Sequence, residues 1–358
     1  MGSAPARLLS LDALRGFAVF CMIEQHLGVW LWTGPQAGET RFDYPGLVAF
    51  NAAAGIGLPI FFGLAGIGSA LMVATRKDGV EGVLVKRGVL LMALGYLLNV
   101  TAPDWFSWGS FFALHLIGFG MALTPLWARL SNRHMAVAIT LVLAATPLVQ
   151  AWLGTPDKLH NEHMSDVAMP GGVFRLALAE SQYPILPWLS IYLAGVVSGR
   201  WVALGRHRAL LWAAVSMVAI GALGHGLFRV MGDGLHPVLA RAFVLRLGFF
   251  PGSVAMLCLL IGGGGLLVAA ALRVEASYRL SSRHPMVTMG RTSLSVFFVH
   301  VWVFRQATQP LGLRDALTAN ETLVVIFGFT ALWMLVTRAW AAVGYRFGAE
   351  WLLRTVAR

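Results

Sequence analysis

The chain has 358 residues, of which 58% are hydrophobic and only 12% are charged, and its formal net charge is +11. Soluble domains carry about 25% charged residues, so this composition indicates a polytopic membrane protein. The basic residues are spread singly instead of forming a basic patch interleaved with aromatic residues, which argues against a nucleic-acid partner.

The first predicted helix, residues 8–32, is long enough to cross a bilayer, which takes about 20 apolar residues. It nevertheless contains Asp12, Arg15, Glu24 and His26, although ionisable side chains at membrane depth usually face a bundle interior or a water-filled cavity. Arg15 and His26 are eleven residues apart, which places them on nearly the same helix face and roughly 16 Å apart along its axis. Asp12 precedes Arg15 by three residues and is expected to pair with it. The helix therefore resembles the lining of a reaction channel.

The same segment does not fit a cleavable signal peptide, because it is charged and too long. We expect it to remain as the first membrane span. The two cysteines, Cys21 and Cys258, both fall in apolar segments, so neither a disulfide framework nor a zinc site is predicted.

Nine further apolar segments predict membrane helices, which makes an all-α protein with about ten transmembrane helices in one bundle. Their predicted bounds are 47–73, 88–100, 109–126, 135–153, 183–198, 210–227, 249–272, 287–303 and 323–337.

Two other segments have special features within what we predict to be a single domain over residues 1–358. Residues 154–182 form the longest polar stretch and are predicted to be a functional outer loop. Residues 236–247 place apolar side chains at helical spacing together with Arg241 and Arg246, which predicts an interfacial helix.

Lysine and arginine are concentrated in alternate loops, which predicts that both termini lie in the cytoplasm and that the protein resides in the plasma membrane or bacterial inner membrane. The loop with Arg229, Arg241 and Arg246 is an exception that the interfacial helix would explain. In this orientation Arg15 lies towards the inner face and His26 towards the outer face.

His26 is a candidate general base, because an imidazole can take a proton from a hydroxyl or an amine near neutral pH. Arg15 would then hold an anionic or carbonyl group, with Asp12 holding Arg15. The alternative is a structural Arg–Asp pair and a histidine at the membrane interface.

Three more histidines, His115, His225 and His300, fall in the outer halves of predicted spans. A single histidine on an apolar face is more often a satisfied core residue, but four at similar depth, with His26, favour a shared wet cavity that binds substrate. No pair within a span has the spacing of a metal-binding motif. The HNEH stretch at 160–163 is interpreted as solvated polar surface, with metal binding as the alternative, and no metal site is predicted.

Four basic residues lie at the predicted cytoplasmic ends of spans: Lys86, Arg87, Arg200 and Arg291. One explanation is the usual enrichment of lysine and arginine on the cytoplasmic side of membrane proteins. The alternative is a site for the phosphates of a cytosolic acyl-CoA, which needs clustered cations.

Four stretches resemble the transmembrane acyltransferase superfamily, particularly its bacterial members similar to heparan-α-glucosaminide N-acetyltransferase. SLDALRGFAVFCMIEQH is similar to the family's first span, with Arg15 and His26 at its arginine and histidine. PIFFGLAGIGSAL, YPILPWLSIYLAGVVSGR and MGRTSLSVFFVH are similar to later spans, although Phe297 replaces a tyrosine. An Arg-x-x-Arg motif seen in some branches is not clear in this chain.

The resemblance implies transfer of an acyl group, usually acetyl from acetyl-CoA, to an acceptor across the membrane, with His26 as the catalytic histidine. Trp188 lies in the third of these stretches, and we expect it to contact substrate. The predicted acceptor is a hydroxyl or amine of an extracytoplasmic sugar or glycan. The predicted partners are acyl-CoA and the lipid bilayer. The sequence does not decide whether the protein forms a homodimer. The alternative function is a transporter or flippase, which broken spans in matching halves would favour; the sequence shows no such pairing.

Overall fold

The computed structural model describes residues 7–75, 79–246 and 249–357. Over these residues the secondary structure is helical apart from one isolated bridge between Trp32 and Leu317. The all-α fold class is therefore confirmed. Numbered along the chain, the helices are α1 (Leu9–Leu31), α2 (Pro45–Ala54), α3 (Gly57–Thr75), α4 (Val80–Thr101), α5 (Ala113–Ala122), α6 (Thr124–Arg129), α7 (Asn132–Trp152), α8 (Asn161–Ser165), α9 (Gly172–Arg175), α10 (Ile185–Ala203), α11 (His207–Met231), α12 (Pro237–Phe243), α13 (Val254–Ser277), α14 (Pro285–Arg291), α15 (Ser293–Val301), α16 (Ala319–Trp340) and α17 (Ala349–Val356).

Seven helical segments of the described chain are long and apolar enough to cross a membrane, or eight if one bent pair counts as a span. The bent pair joins α14 to Ser293–Ala307, and the two parts differ in direction by 76°. The prediction of about ten spans is not confirmed. Helix α1 is not among the candidates, since its ionisable residues lower its hydropathy. The predicted span at 109–126 instead breaks at Leu123 into α5 and the proline-initiated α6.

Contacts divide the chain into two compact units. The central unit is built mainly from Phe62–Ala269, and the terminal unit consists of Ala6–Phe61 and Ala270–Thr355. The prediction of a single domain over 1–358 stays a prediction. Each unit is described by itself below.

In the terminal unit, α1 and α14 meet backbone to backbone at two glycines. A Cβ on Gly16 would lie 1.9 Å from the carbonyl oxygen of Met286, and a Cβ on Gly290 would lie 1.9 Å from that of Asp12. Only glycine permits this approach, because a Cβ cannot occupy space already filled by backbone atoms. Helix α14 ends at Arg291, and the backbone of the next residue, Thr292, is not helical (φ −119°, ψ 21°).

Carboxylates cap two helices of the same unit. Glu350 of α17 accepts hydrogen bonds from the Ser295 amide (3.1 Å) and hydroxyl (2.5 Å) at the start of α15, and the Ser295 hydroxyl oxygen accepts one from the Ala349 amide (2.9 Å). Burial raises the pKa of the Glu350 carboxyl, although these hydrogen bonds oppose the shift. Glu275 similarly accepts from the amide and hydroxyl of Ser10 in α1 (3.3 and 2.5 Å). The caps satisfy amides that have no partner within their own helix.

In the central unit, the predicted outer loop 154–182 folds around a buried carboxylate. Glu180 accepts hydrogen bonds from the Thr155 hydroxyl (2.5 Å), His163 Nε2 (2.8 Å) and Arg175 Nε (2.6 Å). Burial alone would raise the pKa of Glu180, but these hydrogen bonds and the charge of Arg175 outweigh it and lower the pKa. The loop is therefore an ordered element whose location outside the cytoplasm stays a prediction.

The predicted interfacial helix at 236–247 is shorter in the structure, where α12 covers Pro237–Phe243. Its backbone becomes extended at Val244, while Leu247 lies outside the described residues. Arg246 Nη2 contacts Asp157 Oδ1 at 2.7 Å. The interfacial location of α12 stays a prediction.

Candidate active site

Two histidines from distant parts of the chain meet in the terminal unit. His26 lies in α1 and His300 in α15, and His26 Nδ1 is 2.7 Å from His300 Nε2. Their rings are 7° from parallel, with centroids 5.0 Å apart. His300 is fully buried, and its Nδ1 lies 2.9 Å from the carbonyl oxygen of Val296. The sequence predicts a polar region shared by these histidines but does not predict the hydrogen bond; we call the two residues the histidine pair.

Trp30 and Arg305 complete this cluster, and the sequence reasoning missed both. The Trp30 ring stacks on His26 (centroids 4.9 Å apart) and on His300 (5.7 Å). The guanidinium carbon of Arg305 lies 6.0 Å from the centroid of Trp30, within the range of a cation–π contact. Trp30 follows His26 by four residues on one helix, a spacing that could have identified it. Arg305 carries no comparable signal, because its contact depends on tertiary packing.

Asp12 is the centre of a cationic cluster at the other end of α1. It accepts hydrogen bonds from Arg7 Nε (2.6 Å) and Nη2 (2.9 Å) and from Arg291 Nε (3.2 Å). The predicted partner, Arg15, is at 3.9 Å and makes an ion pair without a hydrogen bond. The predicted pairing of Asp12 with Arg15 is therefore confirmed as an ion pair. Arg7 and Arg291 are closer partners, which the sequence did not predict, and the close approach at Gly290 brings Arg291 to the carboxylate. Because α1 is continuous, Arg15 and His26 keep their predicted separation of roughly 16 Å along the axis.

Glu24 has an unusual environment for an acidic residue. It is fully buried, and no described residue forms a hydrogen bond of acceptable geometry with either carboxylate oxygen. The Asn51 amide nitrogen and Glu24 Oε1 both lie beside Gly28. Asn51 in turn accepts a hydrogen bond from Gln25 Nε2 on its Oδ1 atom (3.2 Å). The Asn51 amide is the donor nearest to Glu24 but is not well aligned with it. A buried carboxylate without a well-aligned donor is costly, and the sequence assigns Glu24 no role.

The predicted donor-binding cations lie in different units. Lys86, Arg87 and Arg200 belong to the central unit, whereas Arg291 belongs to the terminal unit and binds Asp12. Arg200 donates hydrogen bonds to the carbonyl groups of Trp127 (2.5 Å) and Leu130 (2.8 Å). Arg200 thus caps the C-terminal end of α6. The proposed phosphate-binding role of these four residues stays a prediction.

The other predicted substrate-binding residues, His115, Trp188 and His225, occupy separate places in the central unit. No hydrogen bond or ring contact joins any two of them across the described residues. His115 is fully buried, and its Nδ1 accepts a hydrogen bond from the Phe112 amide (3.2 Å). Trp188 is buried against Tyr183 (centroids 5.0 Å apart), and His225 Nδ1 lies 3.3 Å from the Phe243 carbonyl oxygen. Their substrate-binding roles stay predictions.

Across residues 7–75, 79–246 and 249–357, no group of three or more His, Cys, Asp or Glu side chains is arranged to hold a metal ion. In the HNEH stretch, His163 instead binds Glu180.

Comparison with known proteins identifies a family over more than half of the chain. Residues 7–226 match the family model described as heparan-alpha-glucosaminide N-acetyltransferase, catalytic. The matched range includes α1 with Arg15 and His26, and it ends before His300 and Arg291. No curated protein matches the chain.

Proposed function

The chain belongs to the heparan-α-glucosaminide N-acetyltransferase family of membrane acetyltransferases, and on that premise we propose that it transfers an acetyl group from cytosolic acetyl-CoA to a hydroxyl or amine of a sugar or glycan outside the cytoplasm. The observation that carries the proposal is the location of His26 within the matched catalytic range and in hydrogen-bond contact with His300. A histidine held in this way suits general base catalysis.

We propose a direct transfer with His26 as the base. The imidazole removes a proton from the acceptor hydroxyl or amine while the acceptor oxygen or nitrogen attacks the thioester carbonyl carbon. The carbon–sulfur bond then breaks, and the leaving thiolate takes the proton from His26. The products are the acetylated acceptor and the free CoA thiol, so His26 ends in its starting state.

The cationic cluster around Asp12 supports an anionic donor. Three guanidinium groups, from Arg7, Arg15 and Arg291, surround one carboxylate, which leaves an excess of positive charge. Arginine presents paired N–H donors to phosphate and carbonyl oxygens. We propose that Arg15 and Arg291 contact acetyl-CoA at this end of α1, with Lys86, Arg87 and Arg200 as further candidates.

The test uses purified protein in detergent or nanodiscs with acetyl-CoA labelled with ¹⁴C in its acetyl group and with hexosamine and disaccharide acceptors. We expect labelled product from the wild type and a loss of roughly 10²–10⁴-fold in His26→Ala. His207→Ala is the control, because His207 is exposed at the start of α11. A folded His26→Ala protein that transfers acetyl near the wild-type rate would exclude His26 as the base. Uptake of labelled solute into proteoliposomes without an acetylated product would favour the transporter alternative.

A further inference from the structure

The hydrogen bonds of the histidine pair determine which ring nitrogens carry protons. The Val296 carbonyl oxygen can only accept, so the 2.9 Å contact makes His300 Nδ1 a donor. A neutral His300 then has its lone pair on Nε2, which must accept from His26 Nδ1 across the 2.7 Å contact. A neutral His26 protonated on Nδ1 carries its own lone pair on Nε2.

From this chain of hydrogen bonds we infer that His300 is a positioning residue that holds His26 in the tautomer with Nε2 unprotonated. The inference rests on the proposed function, in which His26 takes a proton from the acceptor. His300 acts through His26 and touches no reacting atom in this role. The sequence instead predicts that His300 contacts substrate.

The arrangement gives His300 a role like that of the aspartate in a Ser-His-Asp triad, which orients a histidine and selects its tautomer. When His26 takes a proton on Nε2, its Nδ1–H becomes part of a cation and the hydrogen bond to His300 becomes charge-assisted. The stacking of Trp30 on both rings restricts their rotation. The base is therefore oriented before substrate arrives.

Replacements of His300 separate positioning from packing. His300→Phe keeps an aromatic ring beside Trp30 but lacks a hydrogen-bond acceptor, whereas the side-chain oxygen of His300→Gln can accept from His26 Nδ1. We expect kcat to fall roughly 10²-fold in His300→Phe and less than tenfold in His300→Gln, with KM for acetyl-CoA and acceptor unchanged. Equal losses in the two variants, a loss confined to KM for the acceptor, or wild-type kcat in His300→Phe would overturn the inference.

A spectroscopic measurement keeps the test independent of turnover. In protein labelled with ¹⁵N-histidine, the His26 ring signals are assigned by their loss in His26→Ala. We expect the wild type and His300→Gln to show a protonated Nδ1 and an unprotonated Nε2, and we expect His300→Phe to lose that preference. A wild type with the proton on Nε2 would overturn the tautomer assignment. A wild type with the expected tautomer but no acetyl transfer would overturn the proposed function and leave the orientation of His26 by His300 supported.

Discussion

Gly290 lies so close to Asp12 that a Cβ on the glycine would be 1.9 Å from the Asp12 carbonyl oxygen. This contact joins α14 to α1 at the position where Arg291 binds the Asp12 carboxylate. The packing of α14 against α1 and the contact of Arg291 with Asp12 therefore both depend on the absence of a side chain at Gly290.

We expect Gly290→Ala to lower the melting temperature by several degrees and to reduce acetyl transfer, because the added methyl group would force α14 away from α1. Overpacking typically costs about 1–3 kcal/mol, and backbone atoms cannot rotate aside as a side chain can. Thermal unfolding followed in detergent measures the effect. Gly68→Ala in α3 is the control, since no atom lies within 4 Å of its added Cβ. Equal melting temperatures in the two variants would contradict this account.

Features that follow from local sequence were predicted better than those that require tertiary contacts. The bounds of α1 agree with the predicted 8–32 to within one residue, because a long apolar segment is a strong local signal. The break at Thr292 falls inside one predicted span, since an apolar run does not reveal where a helix bends. The contact between Asp12 and Arg291 and the contact between His26 and His300 depend on packing between segments more than 270 residues apart. Helical spacing within α1 could not predict either.

The variant Arg15→Lys tests whether the Arg15 guanidinium is needed for acetyl transfer in a protein that still folds. We expect the variant to remain folded, because Asp12 keeps its hydrogen bonds to Arg7 and Arg291. We expect acetyl transfer to fall about tenfold or more, because an ammonium group cannot present the planar pair of donors that a guanidinium offers to carbonyl or phosphate oxygens. Arg41→Lys, at an exposed position, is the control. Wild-type kcat/KM for acetyl-CoA in Arg15→Lys would show that Arg15 acts only as a point charge or has no role in transfer.

The lowered pKa of Glu180 predicts that the protein becomes less stable as the pH falls into the acid range. The pKa of Glu180 is lower in the folded state than in the unfolded state. The ionised carboxylate therefore contributes fully to the free energy of unfolding above the unfolded pKa of about 4.3, and this contribution is lost as the pH falls through the folded pKa. We expect Glu180→Gln to have a lower melting temperature than the wild type at pH 6 and a smaller further decrease between pH 6 and pH 3.5. Glu162→Gln, at an exposed position in the same loop, should follow the wild-type curve. Parallel curves for Glu180→Gln and the wild type would contradict the expected linkage.

Glu24→Gln should have the opposite effect on stability to Glu180→Gln. Both carboxylates are fully buried, but Glu180 accepts several hydrogen bonds, whereas neither oxygen of Glu24 accepts one from the described residues. Replacing Glu24 by a neutral side chain of similar size removes the cost of burying a charge without a well-aligned donor, and the glutamine oxygen can still accept from the nearby Asn51 amide. We expect its melting temperature to equal or exceed that of the wild type. A decrease as large as that of Glu180→Gln would contradict this expectation and show that the Asn51 amide stabilises the Glu24 carboxylate.

The proposed direction of transfer requires that the loop at 154–182 and the start of α4 lie on opposite sides of the membrane, as the distribution of lysine and arginine predicts. Single cysteines at Asn161 and Gly82 test this, because both positions are exposed and a Cβ at Gly82 meets no atom within 4 Å. In intact cells, a membrane-impermeant maleimide should label Asn161→Cys, and it should label Gly82→Cys only after the cells are opened. The parent chain is the control, since its two cysteines, Cys21 and Cys258, are buried. Labelling of Gly82→Cys but not Asn161→Cys in intact cells would invert the topology, and acetyl-CoA would then have to reach α1 from the opposite end.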